Sequence, residues 1–151
     1  MKRALPILAT VMSFALAAAS PVDPVNRNRN GVAISGFDPV AYFVQSKPVQ
    51  GSSQFAYSWM GAAWWFASPQ DRDLFAANPE KYAPQFGGYC AWAVSNGYTA
   101  DVDPEAWKII DGKLYLNYSK SIQRKWEQDV VKRIDDANRN WPGLSRQGAA
   151  K

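Results

Sequence analysis

WKIIDGKLYL, residues 107–116, reads as two short strands around a tight turn. Trp107, Lys108, Ile109 and Ile110 on one side and Lys113, Leu114, Tyr115 and Leu116 on the other flank Asp111-Gly112, a pair suited to a type I′ turn because both central residues take positive φ. A second hairpin lies upstream. Phe55, Tyr57 and Trp59 alternate with Ala56, Ser58 and Met60, Gly61 permits a turn, and AAWWF at 62–66 returns as an aromatic strand. Trp64 and Trp65 are adjacent on that strand and cannot face the same side, so one of them must meet a second layer or a pocket.

Around the hairpins the chain is punctuated by Asp38-Pro39, Ser68-Pro69, Asn78-Pro79 and Asp103-Pro104. In each pair the first side chain can accept a bond from a helix N–H, and proline fits the first helical position, so four short helix starts are expected. Asp71, at the third position after Ser68, complements the helix dipole before Leu74 and Phe75 turn inward. A last helix is expected over 121–141, with Ile122, Trp126, Val130, Ile134, Ala137 and Trp141 three or four apart. The fold class is therefore α+β: a small single domain with two antiparallel β-hairpins, several short helices and a long C-terminal helix. Its expected limits are 31–141, with a polar lead-in at 20–30 that lacks periodicity and should be flexible, and a disordered tail at 142–151 after Pro142-Gly143.

The 151-residue chain is 47% apolar, 20% charged and carries seven each of Trp, Tyr and Phe, enough to bury a core. Residues 1–19 form an expected signal peptide: Lys2 and Arg3 precede an apolar run of roughly 12 residues and small-x-small sites that end at Ala17 and Ala19. That run is short of the roughly 20 residues a membrane span needs, so cleavage without a membrane anchor and a periplasmic or secreted location are expected. Of 17 basic residues two leave with the leader, and the remaining 15 against 13 acidic are too evenly balanced to suggest nucleic acid. The protein partner and the oligomeric state stay open.

Histidine is absent and Cys90 is the only cysteine, which excludes Ser-His-Asp and Cys-His nucleophile systems, imidazole metal sites and an internal disulfide. Carboxylate-pair hydrolysis is compatible with the composition, but no pair is recommended by its placement in the sequence. Cys90 lies in GGYCAWAVSNG, residues 87–97, where Gly87-Gly88 allow a sharp entry, Tyr89 to Ser95 can form two helical turns, and Asn96-Gly97 suits a left-handed cap. This places Cys90 in the first turn of a helix, where the dipole favours thiolate, so a lowered thiol pKa is expected. The alternative is that Cys90 is a small buried hydrophobe beside Trp92.

GVAISGFDPVAYF (31–43), WMGAAWWFASPQDRDLFAANPEKYAPQFGGYCAWAVSNG (59–97) and DPEAWKIIDGKLYLNYS (103–119) resemble the secreted bacterial YHS domain-containing proteins, some of which carry selenocysteine where this chain has Cys90. The resemblance spans 31–141. It implies a link to metal handling, which YHS domains elsewhere perform through cysteines in a DPVC segment and in an aromatic-Cys segment leading into a helix. This chain departs at both places: Ala41 stands at the first, and Trp64 to Ser68 contain no thiol. Selenocysteine in relatives favours chemistry over packing at Cys90.

The leading expectation is thus a periplasmic or secreted YHS-type binding protein for a soft transition metal such as copper, with Cys90 as anchor, because thiolate selects Cu(I). Asp38 and Met60 are the candidate co-ligands, with Tyr42, Tyr89 and Trp92 as pocket candidates; Asp38 has an alternative reading as a helix cap. Haem held by thiolate or tyrosine is compatible with the aromatic content. A thiol redox protein using Cys90 without metal, and an aromatic-lined structural or small-ligand module, are the alternatives; no covalent turnover by the protein itself is expected.

Overall fold

The structure, a computed structural model, describes residues 20–146; the expected leader and residues 147–151 of the expected tail lie outside the described residues. In chain order the elements are α1 (Ala41–Val44), β1 (Ser52–Trp59), β2 (Ala62–Phe66), α2 (Pro69–Ala77), α3 (Pro79–Tyr82), α4 (Ala91–Ser95), β3 (Asp103–Ile110), β4 (Lys113–Asn117), α5 (Lys120–Glu127) and α6 (Val130–Leu144), with 3-10 turns at Ile34–Gly36 and Gln85–Gly88. Strands β1 and β2 form one two-stranded antiparallel sheet and β3 and β4 another, which is the α+β architecture that the two hairpins lead one to expect.

Both hairpin turns have two consecutive residues at positive φ: Met60 at 50° with Gly61 at 74°, and Asp111 at 51° with Gly112 at 73°. That conformation matches the strand twist, which is why two-residue connections suffice. The second hairpin separates two apolar clusters. Leu114 and Leu116, with Trp107 and Ile109 opposite them, face the first cluster, whereas Tyr115 and Ile110 face the second. The period of two along a strand buried on both faces produces that division. The first cluster is built on Trp64, Phe66 and Phe75, with the Phe75 ring 5.1 Å from each of the other two. Trp65 points to the other side of β2 and meets a second layer: a Cβ added to Gly36 would lie 2.7 Å from its Cε3, so the bare backbone of the Ile34–Gly36 turn is what admits the indole.

Ser68 caps α2 as expected, its Oγ accepting the Asp71 N–H at 3.1 Å, and α3 starts at Pro79. Three expectations are corrected. Asp103-Pro104 begins a strand, not a helix: Asp103 pairs with Asn117, and the missing proline donor falls in the irregular register before Trp107. The last helix is two helices, broken at Gln128 and Asp129, where Asp129 leaves helical geometry at φ −145° and ψ 52°. The break lets α5 place Trp126 against Tyr115 while α6 lies along α4. Leu74, expected inside, is exposed, and Phe75 alone of that pair is buried.

The ends of the domain also extend beyond the expected limits. Residues 20–30 are pinned rather than free: Val25 is buried, the Asn26 N–H donates to Gly87 O at 2.8 Å, and Asn26 O accepts the Ile34 N–H at 3.0 Å. At the other terminus Pro142 and Gly143 lie within α6, where the proline forfeits one backbone hydrogen bond of the last turn. The Val22 N–H then donates to Leu144 O and the Arg146 N–H to Val22 O, at 2.9 and 3.0 Å, so the two ends of the described chain form a short parallel bridge.

Candidate functional site

The Cys90 environment is assembled from three segments. The Gln85–Gly88 turn carries Phe86, Gly87 and Gly88 all at positive φ and delivers the chain to Cys90, which occupies the cap position before α4 at φ −57° and ψ 117°. Its backbone N–H donates to Ala100 O at 3.0 Å. Helix α4 is too short to stand alone and is held by α6: Asn140 Nδ2 donates to Val94 O and Ser95 O, and Arg133 Nη1 donates to Asn96 Oδ1 while its guanidinium lies 3.9 Å from the Trp92 ring centre. The third segment is the end of β4, which brings Asn117 and Tyr118 against the sulfur.

Cys90 Sγ accepts the Tyr118 N–H at 3.2 Å, and its S–H donates to Asn117 Oδ1 at 3.7 Å. The same Oδ1 accepts the Trp92 N–H at 3.0 Å, which fixes the orientation of the amide because only its oxygen can accept. Asn117 Nδ2 is buried without a partner. The thiol is therefore neutral, with both donor and acceptor roles filled. Burial raises its pKa above the ordinary value, against the opposing pull of the Ala93, Tyr118 and Trp92 N–H groups. The expectation of a lowered pKa is overturned. The cap position does aim N–H groups at sulfur, but desolvation outweighs them in a residue 1% exposed. The alkylation rate of Cys90 against pH should accordingly show a midpoint above about 8.5, the unperturbed thiol value; a midpoint below that value would restore the activated thiolate.

Cys90 lies on the wall of a cavity of about 210 Å3 shared with Trp92, Ala93, Tyr98, Ala100, Tyr118 and Ile122. Of the six residues that the sequence suggests, this cavity brings together Cys90 and Trp92. Tyr89, one residue before Cys90, packs on Trp141 at 5.9 Å instead. Tyr42 is buried in the first cluster, its OH donating to Pro104 O at 2.9 Å and its ring 5.2 Å from that of Trp107; burial, then the carboxylates nearby, push its pKa up. Met60 occupies the β1–β2 turn and lines a different cavity with Trp59, Phe86 and Trp141.

Asp38 is fully buried and committed to the backbone: Oδ1 accepts the Val40 and Ala41 N–H groups at 2.8 and 3.2 Å, and Oδ2 accepts that of Ala67 at 2.9 Å. This is the capping role. Among the described residues no group of three or more His, Cys, Asp or Glu side chains is placed to hold a metal ion. The set Cys90, Asp38 and Met60 is thus not a ligand cage, and a metal at this site would have one sulfur from the chain.

Sequence reasoning missed Asn117, Tyr98, Tyr118 and Ile122. Asn117 ends a strand whose neighbours look like turn residues, and nothing local in NYS at 117–119 distinguishes a buried amide from a solvated one.

No curated protein and no solved structure matches the chain significantly. The matched part is α1 to the Gln85–Gly88 turn, ending before Cys90, so the cysteine cavity lies outside it: residues 40–86 match the family model described as the YHS domain.

Proposed function

We propose that this chain is a YHS-type binding domain whose working centre is the Cys90 cavity, taking one soft ligand at sulfur, with Cu(I) as the metal of that class. The observation that carries the reading is a lone soft donor on the wall of an otherwise apolar and aromatic cavity, with the Tyr118 N–H donated to it at 3.2 Å and the Ala93 and Trp92 N–H groups acting with it to lower the thiol pKa. Those N–H groups favour an anionic sulfur once its proton has been displaced, and a soft ion is what displaces it at neutral pH. Cys90 would supply one thiolate; the remaining coordination would come from a small ligand or partner outside the chain. The link of YHS domains to metal handling supports the metal class, and export through the residue 1–19 leader would put the thiol where capping protects it from oxidation.

The test is Cu(I) stoichiometry of the reduced protein against a chromogenic Cu(I) chelator, with and without a small added thiol. Wild type should hold one ion per chain and Cys90→Ser none. Equal retention by the two proteins would defeat the proposal. A second reading is favoured by the lack of protein co-ligands around Cys90 among the described residues: thiol redox chemistry with an external thiol as resolving partner. It predicts that neither protein holds copper, while wild type, and not Cys90→Ser, consumes a hydroperoxide when a thiol donor is supplied.

A further inference from the structure

The two halves of the domain are built alike. Ile34, Ser35 and Gly36, with successive φ values of 41°, 55° and 80°, lead into Asp38 and α1, and Phe86, Gly87 and Gly88, at 58°, 63° and 83°, lead into Cys90 and α4. The Asp38 N–H donates to Val49 O at 2.9 Å and the Cys90 N–H to Ala100 O at 3.0 Å. A hairpin follows in each half, and β3 and β4 reproduce the lengths of β1 and β2, their two-residue turn and their register. Even the irregularity recurs, after Ser52 with Phe66 in one hairpin and after Asp103 with Asn117 in the other. A serine Oγ then caps the next helix at 3.1 Å, Ser68 for α2 and Ser119 for α5. Phe75 and Trp126, both fully buried, close the two units on Trp64 at 5.1 Å and Tyr115 at 5.3 Å. From hairpin to closing aromatic, every correspondence falls at one constant spacing along the chain, and the YHS match at 40–86 covers only the first unit's hairpin.

The units differ at their anchors. In the first, Asp38 Oδ1 accepts the Val40 N–H at 2.8 Å and Oδ2 accepts the N–H of Ala67, the residue after β2, at 2.9 Å. In the second, the N–H of Tyr118, the residue after β4, donates to Cys90 Sγ at 3.2 Å. The Trp92 N–H, which corresponds to that of Val40, goes instead to Asn117 Oδ1 at 3.0 Å, because a thiol has one acceptor atom where a carboxylate has two. Asn117 stands where the first unit has Phe66, and both are 0% exposed. The phenyl ring leaves no polar atom unpaired, whereas Asn117 Nδ2 is buried without a partner, so what the amide contributes there is its oxygen.

We propose that the chain repeats one structural unit and that the second copy has turned the unit's anchor into its ligand site: Cys90 takes the place of the aspartate, and Asn117 is the positioning residue that supplies the oxygen the thiol lacks. Both oxygens of Asp38 are spent on backbone N–H groups, which leaves the first unit's anchor purely structural. With Asn117 taking the helix N–H, the sulfur keeps one backbone donor and faces the cavity with Trp92, Tyr98 and Tyr118. The ligand role of the sulfur rests on the reading of Cys90 as the working centre; the repeat and the role of Asn117 do not.

Urea unfolding of wild type, Asn117→Leu, Cys90→Asp and the double variant tests this. Asn117→Leu strands the Trp92 N–H and should raise the unfolding equilibrium constant about tenfold. In the Cys90→Asp background the introduced carboxylate accepts the Trp92 and Tyr118 N–H groups as Asp38 accepts those of Val40 and Ala67, so Asn117→Leu should change the constant by less than about threefold. An equal effect in both backgrounds would overturn the proposal. If Asn117→Leu alone does not fold, the double variant should recover folding; a double variant that stays unfolded shows that position 90 is not an aspartate's place and overturns it too. No arm uses copper, so loss of the Cu(I) reading and loss of this proposal are told apart.

Discussion

Replacing Trp126 with alanine is expected to destabilise the protein by about 3–5 kcal/mol, read as a shift of the urea midpoint at unchanged slope. The indole is fully buried on α5, 5.3 Å from the Tyr115 ring, in the cluster that also contains Phe86, Ala91, Val94 and Ala137. These neighbours come from the Gln85–Gly88 turn, α4, β4 and α6, so no single element can move to refill the space. The cost is at the upper end for that reason. Trp126 Nε1 is also buried without a partner, a state that detracts on the order of 1–3 kcal/mol from what the ring contributes. Trp126→Phe removes the orphan donor and keeps most of the ring, so it should be much milder than Trp126→Ala. A loss below about 1 kcal/mol for the alanine variant would place the indole outside the core.

Trp126 was legible as core from its place in a helical stripe, and the same stripe misled over length. Ile122, Trp126, Val130, Ile134, Ala137 and Trp141 keep their spacing across the break at Asp129, because two helices that share a core present their apolar faces to the same place. Periodicity reports which side faces inward, not whether the backbone is continuous. The hairpins were readable for the opposite reason. Asp111-Gly112 and Gly61 suit positive φ, a local property that residue type announces, and both turns fall where the sequence puts them, although Met60 takes positive φ without being a turn residue by type.

The site was less legible because its decisive contacts are non-local. Asn117 reaches Cys90 across 27 positions and Tyr118 across 28, and it is these partners, with burial, that turn a cap-position thiol from activated to neutral. The dipole argument was sound as far as it went; α4 has only five residues, and the desolvation that overrules it comes from the packing of α4 between β4 and α6. The Asp-Pro and Ser-Pro pairs were divided in the same way. Ser68 and Asn78 precede helices, whereas Asp103 is captured by a strand partner, so the pair marks a break in the chain and tertiary pairing decides whether a helix or a strand begins there.

Gly87→Ala should be among the most damaging single-methyl additions to this chain, and its origin lies in the lead-in that sequence alone suggests is loose. A Cβ at Gly87 would sit 1.9 Å from Pro24 O and 2.9 Å from Pro24 C, both backbone atoms that have no rotamer to change. The segment must therefore lift away, exposing Val25 and breaking the bond from the Asn26 N–H to Gly87 O. Exposing a buried valine costs about 1.5–3 kcal/mol, and the left-handed conformation at φ 63° adds about 1–2 kcal/mol for any residue with a Cβ. The sum is about 2.5–5 kcal/mol. Gly112→Ala isolates the second contribution: its φ is 73° and no atom lies within 4 Å of the new methyl group, so it should cost only the backbone strain of about 1–2 kcal/mol. Urea midpoints of the two variants, with limited proteolysis at residues 20–30, separate strain from packing. If both variants lose the same stability and the lead-in of Gly87→Ala is cut no faster than that of wild type, the lead-in is not part of the folded core, and the glycines before Cys90 serve only to turn the chain.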